Sequence, residues 1–572
     1  MKYINREKAV KYIKENITDR KFKYITFFWI IIATQFVIGS NLQTKGYSIR
    51  NITELIIALG KIIGLSILFI IIHYCTLELY KKVKEKTKNK NYKESNKWIE
   101  KYKFEIYFII IILCWIPTLM AFYPCIINYD GGFQIRDYFF FKKINLGHPI
   151  ITTFFYTIFY TYGVNSLNSP TLGMLLFSLF QMTLMAAIFA YAVKFIEKET
   201  NKKYLRNISL IIYSLFPYNQ LFPMMTTKDV IFAGFTLLFI INLYKMFCKK
   251  YKVLNYISLI FITVMMLLFR NNAVYALIVL IPFAIIILIK NKKQLKNFLV
   301  IILISVIIYQ LVNNLLLKLI HEESNGSDVW ACTFAQATGK IASEKELTDT
   351  EKEKISLYFT NYEVIGKIYK PYIADYTMQL IKIDEIRKDK KEFFKFMAKL
   401  AQKYPREFIE SYLNTIRGYW YILDKSFSSE HNDDCPEKYG ALELYCFKIG
   451  KNRYEVKDES KLPKLKEFYS RMFCENEYQN IYGIRILFQP ATYFYILLAC
   501  LLYSIYKKQK IEILIEMYLF LYFLTCFLSP GAIIRYIYAI IVCTPVIVSL
   551  KKEIINRRKN NEIVNAYMLC SM

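Results

Sequence analysis

The run from Tyr123 to Pro149, YPCIINYDGGFQIRDYFFFKKINLGHP, places Asp130, a Gly131–Gly132 pair, Arg136, Asp137 and His148 among aromatic residues, between two apolar segments. A carboxylate at the end of an apolar span, followed by two glycines, can sit in a tight turn with backbone open to a ligand. There it can act as a general base toward an acceptor hydroxyl, or it can be an Asx turn that caps the next helix. Asp137 lies seven residues on, which is the same face of a helix. It is a second carboxylate or metal ligand, or more simply a salt bridge to Arg136, Lys142 or Lys143. His148 precedes Pro149 and reads as a hydrogen-bonded cap unless Asp130 is close.

Three further groups carry charge at span ends. Lys228 and Asp229 close the run TTKD at 226–229, Arg270 opens RNN between two apolar segments, and Arg535 lies in SPGAIIRY. Lys228 can bind a phosphate or snorkel, and Asp229 can be a helix N-cap. Arg270 and Arg535 suit bidentate phosphate contact, with Asn271 beside the first. The alternative for both is a structural ion pair with Asp130, Asp137 or Asp229.

The elements that must hold these groups are membrane helices. The chain has 572 residues, a hydrophobic fraction of 55% and 48 Tyr and 44 Phe, a balance outside that of soluble domains. Its formal charge of +30 comes from Lys and Arg in short clusters between apolar stretches. That is the positive-inside pattern, so the charge reports topology and not nucleic acid; attraction to anionic membrane lipids is its secondary reading. The twelve cysteines lack metal-binding spacing. Cys332, Cys435, Cys446 and Cys474 fall in a polar insertion where a disulfide stays open.

About 20 apolar residues cross a bilayer. Twelve spans are expected, at 24–40, 53–79, 104–124, 171–195, 207–224, 229–247, 253–269, 273–290, 298–320, 486–506, 511–528 and 532–550. The apolar stretch 150–163 is read as a helix at the outer interface, because only then do all later basic loops stay inside with the N-terminus. Both termini are then cytoplasmic, and Asp130, Asp137, His148, Lys228, Asp229, Arg270 and Arg535 reach the outer face together. Charges gathered at one edge of a bundle suggest a site.

The expected organisation is a basic cytoplasmic segment at 1–23, two extra spans with a basic loop at 24–103, a catalytic membrane core at 104–320 with an outer loop at 125–170, an extracytoplasmic domain at 321–485, three spans at 486–550 and a cytoplasmic tail at 551–572. Within 321–485, Thr348 to Glu351 is a capping box. Phe393, Phe396, Met397 and Leu400 recur at helical spacing, and Pro405 starts the next helix. Trp330, Trp420 and the tyrosines suit an interfacial belt. No Walker loop is present, which argues against an ATP-driven pump.

At YPCIINYDGGFQ, GHP, TKDVIF, RNNAVY, KYPREFIESYL and the terminal RYIY, the chain resembles the GT-C superfamily of integral-membrane glycosyltransferases, which includes protein O-mannosyltransferases and lipid A aminoarabinose transferases. The likeness runs from about residue 104 onward. It implies an all-α polytopic bundle in which a first outer loop carries the catalytic acid, matching Asp130, followed by juxtamembrane helices. It further implies a polyprenyl-phosphate sugar as donor, its phosphate met by Arg270, Lys228 or Arg535, and a glycan, lipid or protein as acceptor. Two extra N-terminal spans depart from the pattern. So does a single Asp followed by Gly-Gly in place of an Asp-Glu pair, which leaves dependence on a divalent metal open.

The reaction expected is inverting sugar transfer, with Asp130 deprotonating or orienting the acceptor hydroxyl and fixed cations stabilising the departing phosphate. A transporter or flippase of polyprenyl-linked glycans is the first rival, weakened by the absence of a repeat. A polymerase or ligase of such glycans is the second.

Overall fold

A bilayer leaves no water to satisfy peptide groups, so long apolar runs close their hydrogen bonds internally as helices. The computed structural model describes residues 20–87, 101–248, 252–320, 330–360, 362–425, 442, 444 and 447–551. Among these the secondary structure is helical, with isolated bridges and no strand. Most of the basic N-terminal segment, part of the loop before residue 101, Lys249, Lys250, the tail beyond 551, Cys435 and Cys446 lie outside the described residues. Cys332 and Cys474 are thiols.

The membrane part comprises α1 (Arg20–Lys45), α2 (Ile52–Thr87), α3 (Lys103–Ala121), α4 (Tyr129–Phe141), α5 (Ile150–Asn165), α6 (Pro170–Thr200), α7 (Lys203–Leu215), α8 (Lys228–Cys248), α9 (Val253–Phe269), α10 (Asn272–Leu288) and α11 (Lys292–Leu319). Six of these, α1, α2, α3, α6, α8 and α11, contain stretches long and apolar enough to cross a membrane. Three further expected spans form shorter apolar helices: α9, α10 and Ile534–Leu550. The expected span at 207–224 is broken. Helix α7 stops at Leu215, Pro217 opens a separate short helix Pro217–Leu221, and Phe222–Met224 follows as a 3₁₀ turn. Proline lacks the N–H that would continue the ladder, so a run that looks continuous in hydropathy turns here.

The bundle is built around α8, of whose most apolar window 83% is buried. It packs against α6 and α9 and against the C-terminal helices defined below. Helix α5 folds back on α6 as a hairpin, held close by glycine on both sides: a Cβ on Gly163 would lie 2.8 Å from the Gly173 Cα.

Residues 330–415 form a helical body with its own core. It contains α12 (Ala331–Glu344), α13 (Asp349–Tyr358), α14 (Lys390–Lys403) and α15 (Pro405–Thr415). The expected capping box opens α13, since the Thr348 side chain accepts from the Glu351 N–H and Glu351 reaches back to Thr348. Phe393, Phe396, Met397 and Leu400 of α14 are all buried in this core. Trp330 packs here against Phe334 and Phe394.

The remainder of the insertion, with α16 (Pro463–Phe473), instead joins the membrane core through Tyr469 and Phe473. Its incoming strap pairs with the segment before α4: the Phe447 N–H donates to the Ile127 carbonyl (2.9 Å). Helices α17 (Pro490–Lys507), α18 (Lys510–Cys526) and α19 (Tyr538–Leu550) follow, of which α18 and α19 pack on α8.

Candidate functional site

Two short extended segments, one before α4 and one before α8, lie side by side. The Ile126 N–H donates to the Met224 carbonyl (2.9 Å), the Thr226 N–H to the Ile126 carbonyl (3.0 Å), and the Asn128 N–H to the Thr226 hydroxyl (3.0 Å). This parallel pairing fixes where both helices begin, so Asp130 and Asp229 occupy the first turns of adjacent helices. Unsatisfied N–H groups and the macrodipole make such helix starts favourable for negative charge. Asn128, not Asp130, is the cap of α4, its side chain accepting from the Asp130 N–H (3.0 Å). Asp130 is therefore released from the capping role that its sequence allowed.

Gly131 is required by the same pairing. A Cβ there would stand 2.3 Å from the Thr226 carbonyl oxygen, which belongs to backbone and cannot swing away. Gly132 lies under the ring of Phe447 in the same manner. Helix α4 is also tied to α5, for the Gln134 amide donates to the Asp130 carbonyl (3.2 Å) while its oxygen accepts from Thr152 (2.8 Å) and Thr153 (3.0 Å).

The Asp130 carboxylate accepts from an Arg535 Nη at 2.7 Å, with the Arg535 side chain 10% and the Asp130 side chain 26% exposed. Arg535 lies on the 3₁₀ turn Ile534–Ile537 that leads into α19. The two residues are 405 positions apart in sequence, and the pair joins the first turn of α4 to the turn that leads into α19. Burial works to raise the Asp130 carboxyl, but the Arg535 guanidinium together with the His148 and Lys228 side chains outweighs that and holds it well below the usual carboxylate range.

Lys228 and His148 complete the group. The Lys228 Nζ lies 2.9 Å from His148 Nδ1, and both interact electrostatically with Asp130. Burial, with the Lys228 cation beside it, pushes His148 down to about 4, so its ring is neutral at pH 7. A lysine ammonium only donates, which makes Nδ1 the acceptor and leaves the ring proton on Nε2.

Arg270 ends α9 and is in direct contact with Asp229, with side-chain exposures of 7% and 1%. Asp229 also accepts from the Thr227 hydroxyl (3.0 Å). The Tyr536 ring lies between the two guanidinium groups, 4.8 Å from Arg270 and 5.2 Å from Arg535. Asp130, His148, Lys228, Asp229, Arg270 and Arg535 thus converge on one end of the bundle. With Asp130 matched to Arg535 and Asp229 to Arg270, Lys228 is a third cation, set against a neutral histidine.

Two residues stand apart from that convergence. Asp137 pairs with the neighbouring Arg136 (2.8 Å) on the partly exposed side of α4. Asn271 is exposed and accepts from the Tyr309 hydroxyl (3.3 Å). Among the described residues no group of three or more His, Cys, Asp or Glu side chains is arranged to hold a metal ion.

Two residues that sequence reasoning did not single out belong here. The Tyr156 hydroxyl on α5 is buried, has no hydrogen-bond partner among the described residues, and interacts electrostatically with Asp130 and Arg535. Its signal was the polar stripe Thr152, Thr153, Tyr156, Thr157 and Tyr160 along an otherwise apolar helix, all of it buried. Asp375, from the helical body, interacts with both Arg535 and Asp130. Nothing in its surroundings KPYIADYTM marks it.

No curated protein and no solved structure matches the chain. A family model does match, over residues 142–563, a stretch that contains His148, Lys228, Asp229, Arg270, Asp375 and Arg535 and begins just after α4. Since that match covers more than half of the chain, this membrane protein belongs to DUF6020, a family of unknown function.

Proposed function

We propose that this protein is a GT-C-type membrane glycosyltransferase that moves a sugar from a polyprenyl-phosphate donor to an extracytoplasmic glycan, lipid or protein. In this reading the chain crosses the membrane twelve times with both termini in the cytoplasm. Helix α5 lies at the outer interface, and the polar insertion covers the site from outside.

The observation that carries the reading is the 2.7 Å contact of Asp130 with Arg535, within electrostatic reach of Lys228 and His148. It joins a partly exposed carboxylate to a group of fixed cations. The acceptor oxygen would bond to the anomeric carbon while the bond from that carbon to the phosphate oxygen breaks. Lys228 and Arg535 face the charge that grows on the departing phosphate, and Arg270 backs them while neutralising Asp229. Stabilising developing charge with fixed cations in a dry site is usually the largest contribution to such catalysis. Asp130 orients or deprotonates the attacking hydroxyl. A divalent ion, if bound, would be held through Asp130 and would supply further positive charge to the departing phosphate.

The test is mass spectrometry of cell-surface glycans from cells lacking the protein and from the same cells given wild type or Asp130→Asn. A glycan that disappears with the protein, returns with wild type and stays absent with a normally expressed Asp130→Asn supports the reading. Full restoration by Asp130→Asn removes Asp130 from the chemistry.

A further inference from the structure

Asp375 is carried to the site by a clasp between the helical body and the last membrane segment. The Ala374 N–H donates to the Pro530 carbonyl (2.7 Å), and Ile373 forms an antiparallel bridge with Gly531, four residues before Arg535. From the other side, the Gln336 amide of α12 donates to the carbonyl of Ile373 (3.2 Å), and its oxygen accepts from the Thr377 hydroxyl (2.9 Å). The chain on either side of Asp375 is thus held in place, at Ile373 and Ala374 before it and at Thr377 after it. Yet the Asp375 carboxylate forms no ion pair among the described residues, although it is partly buried.

The groups facing it are Arg535 before α19, Asp130 on α4 and the Cys332 thiol on α12. Arg535 is already engaged by Asp130, so its charge is shared. Burial, and the like charge of Asp130 against the pull of Arg535, raise the Asp375 carboxyl above its ordinary value, whereas Asp130 is held well below. Two carboxylates driven apart in this way are suited to different roles. A group ionised far below the working pH is a poor proton acceptor, and a raised one is a better acceptor.

We propose that Asp375 takes the proton of the acceptor hydroxyl, while Asp130 stays ionised, aligns that hydroxyl and fixes Arg535; this deepens the transferase reading and rests on it. In the step, the acceptor O–H bond breaks and its proton passes to an Asp375 oxygen. The acceptor oxygen bonds to the anomeric carbon, and the carbon–phosphate oxygen bond breaks with its electron pair leaving on the polyprenyl phosphate. Asp375 then returns the proton to water through its exposed side. The helical body thereby contributes a reacting group as well as a cover.

The experiment uses native membranes from cells lacking the protein, which supply the cell's own donors and acceptors, supplemented with purified wild type, Asp375→Asn, Asp375→Glu or Asp130→Asn. Product glycan is followed over time and across pH by mass spectrometry, and decaprenyl phosphate binding is read from the shift in unfolding temperature. Asp375→Asn is expected to slow transfer roughly 10²–10⁴-fold, the usual worth of general base catalysis. It should bind decaprenyl phosphate at least as well as wild type, since a negative charge near the anion has been removed, and Asp375→Glu should recover part of the rate. The wild-type rate should fall on acidification with a midpoint above the usual carboxylate value. An Asp375→Asn protein that transfers within about threefold of wild type overturns the assignment, as does a wild-type rate that stays flat down to about pH 4. If Asp375→Asn fails to fold, Asp375→Glu and the wild-type pH profile decide. Should wild type itself form no glycan in these membranes, the transferase reading falls and takes this inference with it; an active wild type with an active Asp375→Asn sinks the inference alone.

Discussion

The contact between Arg270 and Asp229 is the most enclosed ion pair at the site, and replacing one partner should be far worse than replacing both. Asp229→Asn leaves the guanidinium, 7% exposed, without a counter-charge among Phe232, Tyr522 and Tyr536. Removing one member of a buried pair costs about 3–5 kcal/mol, because the remaining charge has lost its solvation and its partner. Arg270→Met alone strands the Asp229 carboxylate, 1% exposed, at a similar cost. The double variant Asp229→Asn/Arg270→Met puts an apolar chain against three aromatic rings and should fall within about 2 kcal/mol of wild type. The coupling energy is then at least about 4 kcal/mol, read from denaturant unfolding of the four proteins in one detergent. Ligand binding decides what the pair is for. If Arg270 is scaffold, the double variant keeps most of its affinity for decaprenyl phosphate, and if Arg270 grips the phosphate directly, that affinity is lost at unchanged stability. Additive single effects, with coupling under about 0.5 kcal/mol, would refute the burial argument altogether.

Gly131→Ala should cost about 1–3 kcal/mol and lower activity with it, since its Cβ must push the Thr226 backbone away and shift Asp130 from Arg535. Gly60→Ala, with nothing within 4 Å of its Cβ, is the control and should be neutral or slightly stabilising in the same unfolding assay. Lys228→Met should weaken decaprenyl phosphate binding roughly 10–100-fold, the worth of one charged hydrogen bond, with the fold intact by size-exclusion chromatography. His148 titrates at about 4 in the folded protein against an ordinary 6.5. The unfolded chain therefore takes up its proton first, and the His148 contribution is intact above 6.5 and is lost as pH falls toward 4. The unfolding temperature of His148→Gln should accordingly drop less than that of wild type over this window.

Much of the frame could be read from residue order. Apolar runs marked the helices, and the edge charges named six residues that do converge. The helix expected at 207–224 is broken because hydropathy averages across Pro217 and Pro223, while backbone hydrogen bonding does not. Asp130 read ambiguously as base or cap because the true cap, Asn128, is fixed by a contact with Thr226 almost a hundred residues away. Arg270 and Arg535 carried the same local signature and received different partners, since only the packing of α8 against α9 and α19 determines which carboxylate meets which guanidinium. Asp375 was illegible for a related reason: it reaches the site through a bridge between Ile373 and Gly531, and neither segment advertises the other.

The central claim is that the Asp130 carboxylate acts on the acceptor hydroxyl beside a sugar donor whose phosphate is held by the neighbouring cations. The most direct measurement compares purified wild type and Asp130→Asn, an isosteric change, for sugar transfer in native membranes lacking the protein, with folding and decaprenyl phosphate binding checked alongside. Loss of transfer by a folded variant that still binds decaprenyl phosphate is the predicted result. Transfer at the wild-type rate would contradict it.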